Sequence, residues 1–311
     1  MAKVVPIERK SAVLAPSSLA CLSRIPTVNL TAGCAHGCVY CYTRGYRTYP
    51  GDNRVHIYAN TLELLREELP RKRKRPEAVY FSPSSDLFQP VPEVWDLAYD
   101  ILRFLLEQQV GVAFLTKGEI PERHMLLLQA NTHIVHAQIG LSTLNEEVLR
   151  AFEPYAAPGQ TRLQQARRLV ASGIAAEVRL DPILPGFTDD PDSLDELCEG
   201  IAESGVRRIA ASVLFLRPAV LHSLKTRLGE SKRRRLLDRY RDQTVRLSIQ
   251  AQQSSVVTLP REEREIIYDR VRGIAQRHGL QVSICGCKNP DLADGCCGIA
   301  GERPAEPELF D

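Results

Sequence analysis

The segment TVNLTAGCAHGCVYC, residues 27–41, starts as an apolar, β-branched run and breaks at Gly33 into a loop carrying Cys34, Cys38 and Cys41. The run reads as a strand that ends at the loop. Three thiols in eight positions is an awkward number. A disulfide needs two, and a closed tetrahedral metal site needs four.

Working outward, five similar runs follow: AVYFS at 78–82, VGVAFLT at 110–116, HIVHAQIGLS at 133–142, AAEVRLDPI at 175–183 and VRRIAASVLF at 206–215. Each is short, with little period-2 alternation, as expected of strands buried on both faces. Helical patterns lie between them. One starts at Pro92, with Val94, Leu97, Ala98, Ile101, Leu102 and Leu105 at helical spacing. A second follows Thr161, and a third follows Asp192 as its cap. Six strands alternating with helices imply an α/β fold with a parallel sheet and right-handed crossovers. Either an open doubly wound sheet or a complete or partial barrel satisfies the pattern. No GxGxxG follows the first strand, which weakens a dinucleotide fold. In both architectures chemistry gathers at the carboxyl edge of the sheet, where the three cysteines fall.

After about residue 216 the alternation fails. A basic helical segment, SKRRRLLDRYRDQTVRL, precedes a helix around REEREIIYDRVRGIAQRHG that stops at Gly279, and a short strand, LQVSI, leads into a second cysteine group. The expected organisation is an N-terminal extension at 1–26, a barrel at 27–216, and a C-terminal helical and cysteine-rich extension at 217–311 packed on the barrel.

Composition narrows the function classes. Of 311 residues 44% are apolar and 25% charged, an ordinary globular balance, and a net charge of +2 points to no particular partner. No run of about 18 apolar residues suggests a membrane span, and the N-terminus lacks a secretory apolar core. The expected compartment is the cytoplasm. There, nine cysteines serve more readily as metal ligands, redox groups or core residues than as a disulfide framework.

For the first group, zinc held by Cys34, His36, Cys38 and Cys41 is one option, although all four donors would come from one tight loop. An iron–sulfur cluster held by three thiolates, with one iron left open, is the other. Cys34-x3-Cys38-x2-Cys41, with Tyr40 before the last cysteine, resembles the signature of the radical S-adenosylmethionine (SAM) superfamily. SPSSDLFQP, FLTKG, LSTLNEEVLRAFEPYAAPGQTRL and VRLDPILPGFTDD further resemble its spore photoproduct lyase-like branch, over roughly residues 27–216. The resemblance implies a partial (β/α)6 TIM-type barrel and a [4Fe–4S] cluster on Cys34, Cys38 and Cys41. It implies reductive cleavage of S-adenosylmethionine to a 5′-deoxyadenosyl radical that abstracts hydrogen from substrate. It further implies a reductant such as flavodoxin or ferredoxin, and an unidentified substrate, with nucleic acid as one candidate. Lys117 looks like the lysine that contacts the S-adenosylmethionine carboxylate, and Ser142 like a second cofactor contact. Tyr40, Asp86 and Arg179 are further cofactor-binding candidates, and Tyr42 and Arg44 contact the cofactor or cover it. Glu153, Arg162, Arg179 and Asp181 are equally well explained as ion pairs bracing the barrel. The lyase itself has an active-site cysteine on its second strand that returns a hydrogen atom to the product; Phe81 looks like its counterpart here, which makes that reaction doubtful.

The second group, Cys285, Cys287, Cys296 and Cys297, has the spacing C-x-C-x8-C-C. Cys285, Cys287 and Cys296 are candidate ligands for zinc or a second iron–sulfur cluster. Cys296 and Cys297 are also candidates for a catalytic hydrogen donor. Two basic runs, RKRKR at 71–75 and SKRRR at 231–235, suggest nucleic acid, but neither is interleaved with aromatics, and a solvated face explains both. His133 and His136 read as barrel histidines and Trp95 as packing.

Overall fold

A computed structural model describes residues 2–17, 22, 25–241, 244–249 and 254–293. In chain order the strands are β1 (Lys3–Ile7), β2 (Thr27–Val28), β3 (Thr31–Ala32), β4 (Arg54–Tyr58), β5 (Ala78–Phe81), β6 (Gly111–Thr116), β7 (Val135–Gly140), β8 (Ala175–Ile183), β9 (Arg208–Val213), β10 (Val245–Ile249), β11 (Ser254–Thr258) and β12 (Gln281–Ile284). The helices are α1 (Thr61–Arg71), α2 (Pro92–Glu107), α3 (Glu122–Gln129), α4 (Glu146–Phe152), α5 (Gly159–Ala171), α6 (Pro191–Glu203), α7 (Pro218–Arg227), α8 (Glu230–Asp238) and α9 (Arg261–Arg277).

All six expected strands form and pair in parallel, in the order β2-β5-β6-β7-β8-β9, and β12 adds a seventh beside β9. β2 and β12 end the order without pairing to each other, so the sheet is an open, partial barrel. The LQVSI strand therefore continues the barrel sheet instead of packing on it from outside. Its edge beside β9 was free, and α9 returns the chain to that edge in the parallel sense. Two small sheets flank the main one: β1-β4-β3, and the antiparallel hairpin β10-β11.

The strands alternate more than their composition suggests. Val79, Phe81, Val112, Phe114, Val178 and Leu180 join one large apolar core with Ile101, Leu102 and Leu105 of α2. The intervening residues face the other way. Tyr80, Ala113 and Ala210 pack there with Cys285 and Cys287, in company with the buried polar Gln138, Glu177, Arg179 and Ser212. The barrel interior is thus largely polar, while the layer beneath the helices is apolar.

Local signals explain most helix limits. Pro92 is the first residue of α2, where its missing N–H costs nothing. α6 is capped by Asp190, whose side chain accepts from the Ser193 N–H, with Pro191 at the first position; the cap lies two residues before the expected Asp192. The basic helix stops at Asp238, well before Leu247. Tyr240 donates to the Leu214 carbonyl at 2.7 Å and pins the chain to the barrel, and Val245–Ile249 pairs as a strand instead. Gly279, at φ +69°, follows α9 as expected. His133 lies in a short 3-10 helix ahead of β7, and His136 within the strand.

Candidate functional site at the cysteine loop

The cysteine loop is shaped by two glycines, each directly before a cysteine. Gly33 and Gly37 have φ of +82° and +66°, a region L side chains avoid. A Cβ on Gly33 would also sit 2.5 Å from the Arg54 carbonyl oxygen of β4. Neighbouring elements then hold the loop through its backbone. The Ala35 N–H donates to Gln89 Oε1 at 2.8 Å, the Val39 N–H to the Phe152 carbonyl at 2.9 Å, and the Tyr155 N–H to the His36 carbonyl at 3.2 Å. Arg44 reaches back over the loop, its guanidinium 3.4 Å from the Cys38 carbonyl oxygen, and is itself held by Asp52 and Tyr49. Arg44 braces the loop. Tyr42, partly exposed, donates to the Pro83 carbonyl and covers it.

All three thiols are free and half-buried, and Cys41 Sγ lies 3.0 Å from Thr43 Oγ1. Burial and the nearby Asp86 carboxylate push the Cys34 thiol well up, and burial beside Glu153 raises Cys38 to about 12. Thiolates here need a compensating positive charge, which a metal centre supplies. Among the described residues no set of three or more His, Cys, Asp or Glu side chains converges on a single-ion site. His36 instead turns inward, its Nδ1 3.5 Å from Asp86, and burial lowers its pKa. A cluster gives each thiolate its own iron and does not require the donors to meet at one point.

Behind the loop lies a buried charged group. Tyr40 donates to Glu153, Lys117 Nζ lies 3.0 Å from the same carboxylate, and Arg162 Nη1 lies 2.6 Å from its other oxygen. Burial alone would raise the Glu153 pKa, but Arg162 and Lys117 outweigh it and hold it at about 2. Arg162 is anchored by the carbonyls of Ala157 and Gly140, at 2.7 and 2.8 Å. Lys117 packs so closely over Gly140 that a Cβ there would fall 2.8 Å from its Cγ, and its ammonium stands 5.7 Å above the Tyr40 ring. Of the expected cofactor contacts, Lys117 and Tyr40 therefore meet. Ser142 is buried just past β7.

Asp86 accepts from the Phe88 and Lys117 backbone N–H groups, each at 2.8 Å, and from Thr116 Oγ1 at 2.9 Å. Its carboxylate is taken up by the scaffold, so it positions the Lys117 turn and His36. Arg179 and Asp181 form an ion pair at 3.0 Å, and Lys288 joins it from the C-terminal segment, 2.6 Å from Asp181 Oδ1. Lys288 and the Tyr80–Gln138–Glu177 chain of hydrogen bonds are site features sequence reasoning missed. The available signal was the spacing of Glu177, Arg179 and Asp181 at alternate positions of one strand.

Phe81 lies in the apolar core under the helices, so it does not face the barrel interior; Tyr80 does. Neighbouring strand residues face opposite ways, so at this strand end the interior meets the Tyr80 ring and not Phe81. Cys285 and Cys287 are buried against Tyr80 and Ala210. Cys296 and Cys297 lie outside the described residues.

A family model described as the Radical SAM superfamily matches residues 28–194, more than half of the chain. The chain belongs to the radical SAM superfamily. Members of this superfamily are enzymes built around a [4Fe–4S] cluster and S-adenosylmethionine, and the three-thiol loop fits that pair. An uncharacterised protein of Mycobacterium tuberculosis is 30% identical over 217 residues, which is 67% of this chain and 64% of that protein. This chain therefore accounts for less than two thirds of the length of the mycobacterial relatives. The Radical SAM Nalpha-GlyT isomerase of Pseudomonas phage M6 is 26% identical over 66% of this chain and 43% of its own length. The fold is similar to that of spore photoproduct lyase, solved as a variant with bound AdoMet and dinucleoside spore photoproduct: TM-score 0.62, 17% identity, 90% of this chain and 81% of that one. No helix among the described residues is long and apolar enough to cross a membrane.

Proposed function

We propose that this radical SAM enzyme holds its cluster on Cys34, Cys38 and Cys41 and seats S-adenosylmethionine between that loop and Lys117. When bound, the cluster and S-adenosylmethionine supply one-electron reductive cleavage and the abstraction of hydrogen from a C–H bond. Glu153 fixes the Lys117 ammonium over the Tyr40 ring, where it can meet the carboxylate of S-adenosylmethionine. Arg162 neutralises Glu153, so the lysine keeps charge to offer. Asp86 fixes the turn that carries Lys117. Ser142 lies close behind the same edge.

Substrate enters the polar interior, bounded by Tyr80, Gln138, Glu177, Arg179 and Asp181. Cys285 and Cys287 form part of its wall; their packing against Tyr80 and Ala210 supports that role over ligation of a second metal centre. The observation that carries the proposal is the glycine-turned loop of three free thiols at the carboxyl edge, directly over the Lys117–Glu153–Arg162 group. Anaerobic reconstitution with iron and sulfide tests it, with iron counted on wild type and on the Cys34→Ala/Cys38→Ala/Cys41→Ala variant. Retention of iron by the variant overturns it.

Nucleic acid is a second candidate substrate, favoured by the dinucleoside in the spore photoproduct lyase structure. The basic runs lend it little. Lys232 and Arg234 are paired with Glu147 and Glu230, Arg233 donates to the Lys225 carbonyl, and Arg235 stacks on Phe187. Lys72 is paired with Glu68, and Arg75 donates to the Gln108 carbonyl. Salt-sensitive DNA or RNA binding would support this substrate class; no binding at low salt removes it.

A further inference from the structure

Beside the cysteine loop the chain forms a partly open cavity of about 100 Å³. Its walls come from the N-terminal segment, the residues after β2, the Thr43–Tyr49 stretch and Ser84. The lining is rich in hydroxyls (Thr31, Thr43, Thr48, Tyr49, Tyr58, Ser84) and includes no carboxylate. Its only charged member is Arg9.

Arg9 is held in place with care. Its backbone N–H donates to Asn60 Oδ1 at 2.8 Å, and its carbonyl accepts from Asn60 Nδ2 at 3.1 Å. The guanidinium lies 4.3 Å above the Tyr58 ring and donates one N–H to the Asn29 carbonyl. Its Nε is buried without a partner, and no ion pair neutralises it among the described residues. A fixed, partly desolvated guanidinium, with Glu68 acting on it only through space and no carboxylate lining the hydroxyl-rich cavity it faces, suits an oxyanion. Its planar fork and the surrounding hydroxyls suit a tetrahedral phosphoryl group better than a flat carboxylate. The cavity is of a size for a phosphoryl group alone, and its open side leaves the rest of a larger phosphorylated molecule outside.

We infer that this cavity is a phosphoryl-binding site, separate from the S-adenosylmethionine site, whose occupancy is felt at the cysteine loop. The contact is direct: Gly33 in its wall precedes Cys34, and Thr43 lies 3.0 Å from Cys41 Sγ. The ligand bridges Arg9 to the hydroxyls of the loop side and so clamps the loop against the small β1-β4-β3 sheet. None of its lining residues is a proposed cluster ligand.

Isothermal titration of the full chain with inorganic phosphate, with a nucleoside 5′-monophosphate and with acetate, at constant ionic strength, tests the inference. Saturable binding of phosphate or nucleotide, with acetate weaker, is expected. A nucleotide tighter than phosphate identifies the phosphoryl group as part of a nucleotide; equal affinities identify the free ion. Arg9→Gln should weaken binding about tenfold or more, as loss of a charge-assisted contact does. Thr48→Val, on the opposite wall, serves the same purpose if the first variant unfolds. The Cys34→Ala/Cys38→Ala/Cys41→Ala variant should still bind phosphate saturably, with an affinity shifted by the lost Cys41–Thr43 contact, which separates this site from the cluster proposal. Absence of saturable binding, acetate as tight as phosphate, or indifference to both wall variants would overturn it.

Discussion

Cys34, Cys38 and Cys41 are placed differently from Cys285 and Cys287, the two described members of the second group. Cys34, Cys38 and Cys41 are half-buried on a loop turned by positive-φ glycines, and the loop's backbone bonds go to neighbouring elements. Cys285 and Cys287 are buried in an apolar cluster at the end of an edge strand. The first arrangement presents sulfur; the second packs it. On the proposed reading, clustered thiols serve a metal where the backbone also holds them out, as the positive-φ glycines do at Cys34 and Cys38.

Four experiments sharpen that contrast. The largest effect is expected for the Cys34→Ala/Cys38→Ala/Cys41→Ala variant, where reconstituted iron should fall from about four per chain to near zero. Next is Glu153→Gln. It leaves Arg162 and Lys117 without their shared carboxylate in a buried site, and denaturant melts should show a loss of about 3–5 kcal/mol. The same residue gives a pH signature. Its folded pKa is depressed from 4.5 to about 2, so its contribution is present above about pH 4.5 and lost as pH falls toward 2. Glu153→Gln should flatten that part of the acid limb, and an unchanged limb would assign the loss to other carboxylates. Gly33→Ala combines an unfavourable φ with a 2.5 Å approach to Arg54, and should cost about 1–3 kcal/mol and reduce iron occupancy. Smallest is Cys285→Ser with Cys287→Ser: about 1–2 kcal/mol for burying hydroxyls in place of thiols, with iron per chain unchanged. A loss of iron there would turn the second group into a ligand set and break the contrast.

Much of the barrel was legible because apolar, β-branched runs with helical patterns between them admit few parallel topologies. Pro92 and Gly279 marked helix limits for local reasons that tertiary structure did not override. The errors arose where context decided. Val245–Ile249 looked helical in a basic run, but Tyr240 ties the preceding chain to Leu214 and a partner strand was available. Gln281–Ile284 looked peripheral because nothing in four residues reveals which sheet edge is vacant. Which face Phe81 takes was not legible, because a strand buried on both sides gives no apolar alternation to set the phase. The polar residues Glu177, Arg179 and Asp181 did set it, one strand away. The cysteine loop stood out by spacing and took its expected role from the family resemblance; the Glu153–Arg162 and Arg179–Asp181 pairs were anticipated as braces, but the junction of Lys117 with Glu153 and Arg162 was not. Its members lie 36 and 9 residues apart along the chain and meet only because α4 ends beside the cysteine loop.

The most direct test of the central claim is to reduce the reconstituted wild-type chain anaerobically with S-adenosylmethionine present and to measure 5′-deoxyadenosine. The account expects 5′-deoxyadenosine to accumulate with wild type, to fall sharply with Lys117→Ala and to vanish with the three-cysteine variant. A chain that takes up iron, binds S-adenosylmethionine and yields no 5′-deoxyadenosine under reduction would contradict it.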